Sequence, residues 1–168
     1  NPIRRLKEVQ ERGAKIFVVD PRRTETAKVA GEHIFIRPNT DVFFYLSFLH
    51  EYLATAKLDM DRINKHMKGF DEMRRVAEAW PPERTAEVTQ VPPETLRALV
   101  KAYREANGAA FYCSTGVNMG TNGSLAFWLQ ECINAISGNL DRKGGTLVST
   151  GVIDFAAFGK KTGILLHQ

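Results

Sequence analysis

The residues best suited to chemistry are a carboxylate and two guanidiniums in KIFVVDPRRTETA, residues 15–27. Asp20 follows a short apolar run and precedes Pro21, Arg22, Arg23, Thr24 and Thr26. The run before it, residues 16–19, is β-favouring and does not alternate, which predicts a strand buried on both faces, as in a parallel sheet. Pro21 has no N–H to donate and stops the ladder. A carboxylate at the carboxyl end of such a strand commonly accepts from the hydroxyls of a nucleotide ribose. Guanidinium forks and hydroxyls beside it suit phosphate. The same residues also fit a strand edge followed by a solvated basic turn, and both readings stand.

The other candidate groups are a loop, two cysteines and four histidines. TGVNMGTNG at 115–123 holds three glycines and two asparagines between a predicted strand and a predicted helix. Such a loop lets backbone approach a flat or anionic ligand closely. It does not match G-x-G-x-x-G and is no nicotinamide fingerprint. Cys113 and Cys132 have no second cysteine near either, so neither zinc nor iron–sulfur spacing is present, and both read as small buried hydrophobes. His33, His50, His66 and His167 are scattered and are assigned no role. No nucleophile–base pair and no metal cluster is visible.

Three motifs in order resemble the molybdopterin oxidoreductases of the dimethyl sulfoxide reductase family. They are VVDPRRTETAKVA with HIFIRPNTD at 33–41, then YCSTGVNMGTNG at 112–123, then SGNLDRKGG at 137–145. One departure is Asn39, where the family usually has Gly; Asn tolerates a left-handed backbone better than most residues. The resemblance implies a bis(molybdopterin guanine dinucleotide) cofactor bearing molybdenum or tungsten. Asp20, Pro21, Arg22, Arg23 and Thr24 would hold the ribose and phosphates of one guanosine. Asn39, Thr40 and Asp41 would meet the guanine edge, although Asp41 also suits a helix N-cap. Thr115, Gly116 and Met119 would line the path toward the pterin and diphosphate, and Met119 is equally suited to plugging the core.

The same resemblance implies an excised piece of a longer enzyme, inert by itself, with the metal ligand and any iron–sulfur cluster elsewhere in the parent. The implied partners are the remaining domains and an iron–sulfur electron-transfer subunit. A domain binding an adenine dinucleotide, and a non-catalytic assembly subunit that keeps the fold, remain as alternatives.

The elements that must position these groups follow from composition and pattern. With 168 residues, 43% hydrophobic and 25% charged, the chain has the make-up of an ordinary globular domain. The net charge of +4 suits an anionic ligand but is too diffuse to argue for nucleic acid. No apolar run approaches the roughly 18–20 residues of a membrane span. Helices are predicted over 3–12, 24–30, 41–56, part of 58–69, 70–79 with Asp71 as a possible cap, and 93–106. A further one starts at Pro82, because proline at the first helical position loses nothing. Helix 41–56 is apolar on nearly every side and needs burial on several, or it would drive self-association. Leu125, Trp128, Leu129, Cys132, Ile133 and Ile136 predict a core-facing stripe on a last helix ended by Gly138. Strands are predicted at 16–20, 33–36, 109–114 and 146–150. The expected fold is an α/β three-layer sandwich, a mainly parallel Rossmann-like sheet flanked by helices. Residues 1–150 form the expected dinucleotide-binding domain, and no element is assigned to 151–168.

Overall fold

The apolar run after Lys15 forms β1 (Phe17–Val19), and the chain returns through α2 (Glu25–Val29) to β2 (Glu32–Ile34). The computed structural model describes residues 2–148, 151 and 154–163. β1 and β2 are parallel, with Phe17 opposite Glu32, Val18 opposite His33 and Val19 opposite Ile34. Both strands therefore end at one edge, and the turns after them emerge side by side. Thr24 starts α2 by accepting from Ala27 N through its hydroxyl at 3.2 Å. Before β1 lies the amphipathic α1 (Pro2–Glu11).

The rest of the fold is helical and is built on α3 (Asp41–Thr55). Val42, Phe44, Tyr45, Leu46, Ser47, Phe48, Leu49 and Tyr52 are all buried, so this apolar helix finds the multi-sided burial its sequence demands. It packs against α5 (Phe70–Glu78), α6 (Pro82–Thr89), α7 (Pro93–Glu105) and α9 (Gly123–Ile136). Phe48 is fully buried, 4.8 Å from the Phe111 ring and 5.3 Å from the Tyr103 ring, both edge-on. Burying one such side chain contributes about 1.5–3 kcal/mol. Around the rim of this bundle Arg97 on α7 pairs with Glu51 on α3 at 3.3 Å and with Glu83 on α6 at 2.7 Å. The small helix α4 (Met60–His66) contributes Arg62, whose guanidinium donates to Ile136 O at 2.7 Å and so satisfies a carbonyl at the end of α9.

The α/β class and the parallel pairing hold, with a smaller sheet than expected: among the described residues it has two strands. The 109–114 segment is not a third strand, because side chains take its amides. Ala109 N donates to Asn139 Oδ1 at 3.2 Å and Phe111 N to Asn134 Oδ1 at 3.4 Å. At the expected fourth strand, Thr146 makes only an isolated parallel bridge to Leu140, and residues 149–150 lie outside the described residues. The SGNLDRKGG turn brings its own backbone so close that a Cβ on Gly145 would overlap Asn139 O.

Three smaller expectations are corrected. Gly69, not Asp71, precedes α5, and Asp71 sits inside its first turn. On α9 the buried apolar residues are Ala126, Leu129, Cys132, Ile133 and Ile136, while Leu125 and Trp128 lie outside that stripe at 45% and 50% exposure. Cys132 is buried as expected, but Cys113 is only half-buried. Within 151–168 the described residues include α10 (Phe155–Thr162), started by the Asp154 carboxylate accepting from Ala157 N at 2.9 Å. No helix of the described residues is long and apolar enough to cross a membrane.

Candidate functional site

The turn after β1 is fixed through its main chain and open through its side chains. Asp20 N donates to Ile34 O at 3.1 Å, carrying the parallel pairing one residue past β1. Asp20 O lies 2.9 Å from His33 Nε2, and since a carbonyl can only accept, that ring nitrogen carries the proton. The Asp20 carboxylate accepts from Arg22 N through Oδ1 at 2.7 Å, which leaves acceptor capacity for something else. Pro21, Arg22 and Arg23 are exposed. Neither guanidinium has a hydrogen-bond or ion-pair partner among the described residues. Thr24 is half-buried, and its capping hydroxyl keeps its own hydrogen free to donate.

The second group follows β2. Asn39 takes the left-handed backbone expected of it, with φ of 64°. Thr40 is buried, gives its hydroxyl to Arg37 O at 2.7 Å, and occupies the N-cap of α3 without a side-chain cap bond. Asp41 is thus the first helical residue rather than the cap. Its carboxylate is half-buried, and that burial holds its pKa above the ordinary carboxylate value, offset in part by its own backbone N–H. Burial also pushes up the Tyr45 hydroxyl and the Cys113 thiol, and the Asp41 charge adds to both.

The 115–123 loop is partly helical, with α8 (Thr115–Asn118) at its start. Thr115 and Gly116 are exposed, and nothing lies within 4 Å of where a Cβ on Gly116 would stand. Met119 is 80% exposed, so it does not plug the core. Asn39 joins this loop to the β2–α3 turn: its Nδ2 donates to Thr121 Oγ1 at 3.0 Å, and its Oδ1 accepts from Thr121 N at 2.8 Å. Asn39, Asp41, Val117, Gly120 and Asn122 line a shallow depression of about 10 Å³ at that junction.

Two of the three sequence-predicted segments therefore meet directly. The third, around Asp20, shares the carboxyl edge of the sheet but makes no hydrogen bond or ion pair to the other two among the described residues. Two positions of consequence lie outside the sequence reading. His33, which anchors Asp20, looked like one of four unplaced histidines. Thr121, the partner of Asn39, carried no signal beyond its membership of a polar loop.

A small parallel sheet with acidic, basic and hydroxyl groups gathered at one edge is the general architecture of an α/β ligand-binding domain. No family model matches the chain. It is 30% identical, over 84% of its length, to the F420-dependent formate dehydrogenase 1 subunit alpha of Methanococcus maripaludis, of which it covers 21%. It is 30% identical, over 98% of its length, to the periplasmic nitrate reductase of Desulfovibrio desulfuricans, of which it covers 23%. Its fold matches acetylene hydratase from Pelobacter acetylenicus with a TM-score of 0.73 and 25% identity, over 79% of this chain and 18% of that one. The homologues of this chain, over about 84% of its length, are molybdopterin oxidoreductases, and it spans about a fifth of the length of the curated relatives it matches.

Proposed function

We propose that this chain is the domain of a molybdenum or tungsten oxidoreductase that holds the guanosine and diphosphate of one molybdopterin guanine dinucleotide. The donor set fits such a group. Among the described residues, Asp20 has an unfilled carboxylate oxygen for ribose hydroxyls, Arg22 and Arg23 have no hydrogen-bond or ion-pair partner for their guanidiniums, and Gly116 leaves open space for close approach. Asp41 would accept from guanine N1–H and the N2 amine side by side; adenine presents an acceptor at N1 and would oppose the carboxylate. Thr115 and Met119, exposed on the 115–123 loop, would lie on the pterin side. The metal–pterin group supplies the electron or oxygen-atom chemistry, while these residues bind and orient it. The partners this reading implies are the other domains of the enzyme and an iron–sulfur electron-transfer subunit.

The single observation that carries the reading is Asp41. A half-buried carboxylate with a raised pKa and, among the described residues, no hydrogen-bond partner but its own backbone is poorly explained as a stabilising group. It is well explained as an acceptor kept for donors that arrive with a ligand. Titration of guanosine, inosine and adenosine diphosphates into the chain tests this. Guanosine diphosphate is expected to bind best, inosine diphosphate less well because it lacks the amine, and adenosine diphosphate worst. Asp41→Asn should flatten that order. Equal affinity for all three bases in the wild-type chain would rule the guanine role out, and a preference for adenine would favour an adenine dinucleotide instead.

A further inference from the structure

We infer that Asn39 is a positioning residue: it fastens the 115–123 loop to the β2–α3 turn and so sets the opening beside Asp41. The inference deepens the reading above and rests on it for the identity of the ligand. Asn39 holds a backbone conformation that glycine adopts freely and that a side chain opposes, with φ of 64°. Asparagine tolerates this conformation better than most residues but not as freely as glycine, and what the side chain adds is its amide. Both ends of it are used on one distant residue, Nδ2 donating to Thr121 Oγ1 at 3.0 Å and Oδ1 accepting from Thr121 N at 2.8 Å. Glycine at 39 would fit the turn and lose both bonds.

The junction is built from both sides. A Cβ on Gly120 would stand 2.8 Å from Asn39 Oδ1, so any larger residue at 120 would push the amide out of its present place. Asn39 is exposed and gains little from burial, which leaves the two bonds to Thr121 as the work its side chain does. Asp41 stands two residues further on, and Asp41, Val117, Gly120 and Asn122 line the depression at the junction. Holding one wall of that depression still lowers the ordering cost that a ligand would otherwise meet on binding. A loop fixed in this way presents one surface beside Asp41, and a loose one presents many.

The test uses the whole 168-residue chain with guanosine diphosphate as the probe. Asn39→Gly keeps the backbone conformation and removes the amide, so it is expected to fold. Two readouts are taken, hydrogen exchange at the Thr121 amide without ligand and affinity for guanosine diphosphate. Asn39→Gly should speed exchange at Thr121 and weaken binding, each about five- to tenfold, the size of one or two neutral hydrogen bonds. Thr121→Ala, which removes one of the two bonds, should weaken binding by a smaller factor in the Asn39 chain and by none in the Asn39→Gly chain. A merely structural Asn39 would shift the urea midpoint and leave affinity unmoved. Unchanged Thr121 exchange overturns the inference, as does unchanged affinity in Asn39→Gly beside measurable wild-type binding. Absence of binding already in the wild-type chain is a different result, and it ends the nucleotide reading and this inference together.

Discussion

The bundle around α3 and the edge around Asp20 and Asp41 treat their polar groups in opposite ways. Inside the bundle, Ser47, Thr85 and Thr89 each give their hydroxyl to a carbonyl three or four residues back, and Tyr103 sits within 3.3 Å of Asn134 Oδ1 and 2.9 Å of Ser137 Oγ. These groups are spent on the fold, although Gln130 Oε1 and Asn134 Nδ2 on α9 are buried without a partner among the described residues. At the edge, Arg22 and Arg23 are unpaired among the described residues, Asp20 keeps a free oxygen, and Asp41 has its carboxylate partly withdrawn from water without a side-chain donor. A polar group left available in a half-buried place is costly for stability and useful for recognition. The contrast predicts that substitutions in the two regions will separate: stability in one, ligand affinity in the other.

The largest effect is expected inside the bundle. Phe48→Ala empties the centre of the aromatic cluster, and a loss of about 3–5 kcal/mol in urea unfolding is expected. A loss below about 1 kcal/mol would mean that the bundle is not where the fold is held. At the edge, Asp20→Ala should cost about 1.5–3 kcal/mol of guanosine diphosphate affinity, read by titration, because it removes a charged acceptor. Its unfolding free energy should stay within about 1 kcal/mol of wild type, since among the described residues the only side-chain bond lost is the exposed one from Arg22 N. Comparable losses in both measurements would erase the contrast.

Thr24 stands between the two regions. Thr24→Ala removes the cap of α2 and should lower stability by about 1 kcal/mol, while Thr24→Ser should be nearly silent in urea unfolding. If Thr24→Ala also weakens nucleotide binding, the hydroxyl serves fold and ligand at once.

The smallest effect concerns Asp41 and pH. Its pKa is raised in the folded chain, so the folded state holds that proton more tightly than the unfolded one. The resulting penalty is complete above the folded pKa and absent below the ordinary carboxylate value. Asp41→Asn should therefore be slightly more stable than wild type at neutral pH, and the difference should vanish as pH falls through the carboxylate range. Stability measured against pH for the two chains checks this. A less stable Asp41→Asn at neutral pH would place Asp41 among the stabilising groups.

Much of this was legible in the residues. The prolines at 82 and 93 marked two helix starts, the unbroken apolar run before Asp20 marked β1, and Asn39 announced its left-handed turn. The misreadings share one cause, which is that pattern reports apolarity and not the partner. Residues 109–114 look like a strand because they are apolar, yet the acceptors they meet are the side chains of Asn134 and Asn139, distant in sequence. Leu125 and Trp128 fit a helical stripe, but periodicity gives a direction and not the width of the surface that covers it. The Asn39–Thr121 junction was hidden for the same reason, because it spans loops 82 residues apart. The residues of the edge could be named from sequence; which of them touch could not.

The turn at 137–145 bears on how any mutational scan of this chain should be interpreted. Gly145 lies so near Asn139 O that even alanine would collide with backbone, which cannot rotate away as a side chain can. A scan would score that position as intolerant, and a map of intolerance would place it beside Asp20 and Asp41 as though it belonged to the binding surface. Its intolerance would record crowding alone. Positions of that kind reveal themselves by failing in every assay, soluble yield included, whereas a residue that meets the ligand fails only when the ligand is present.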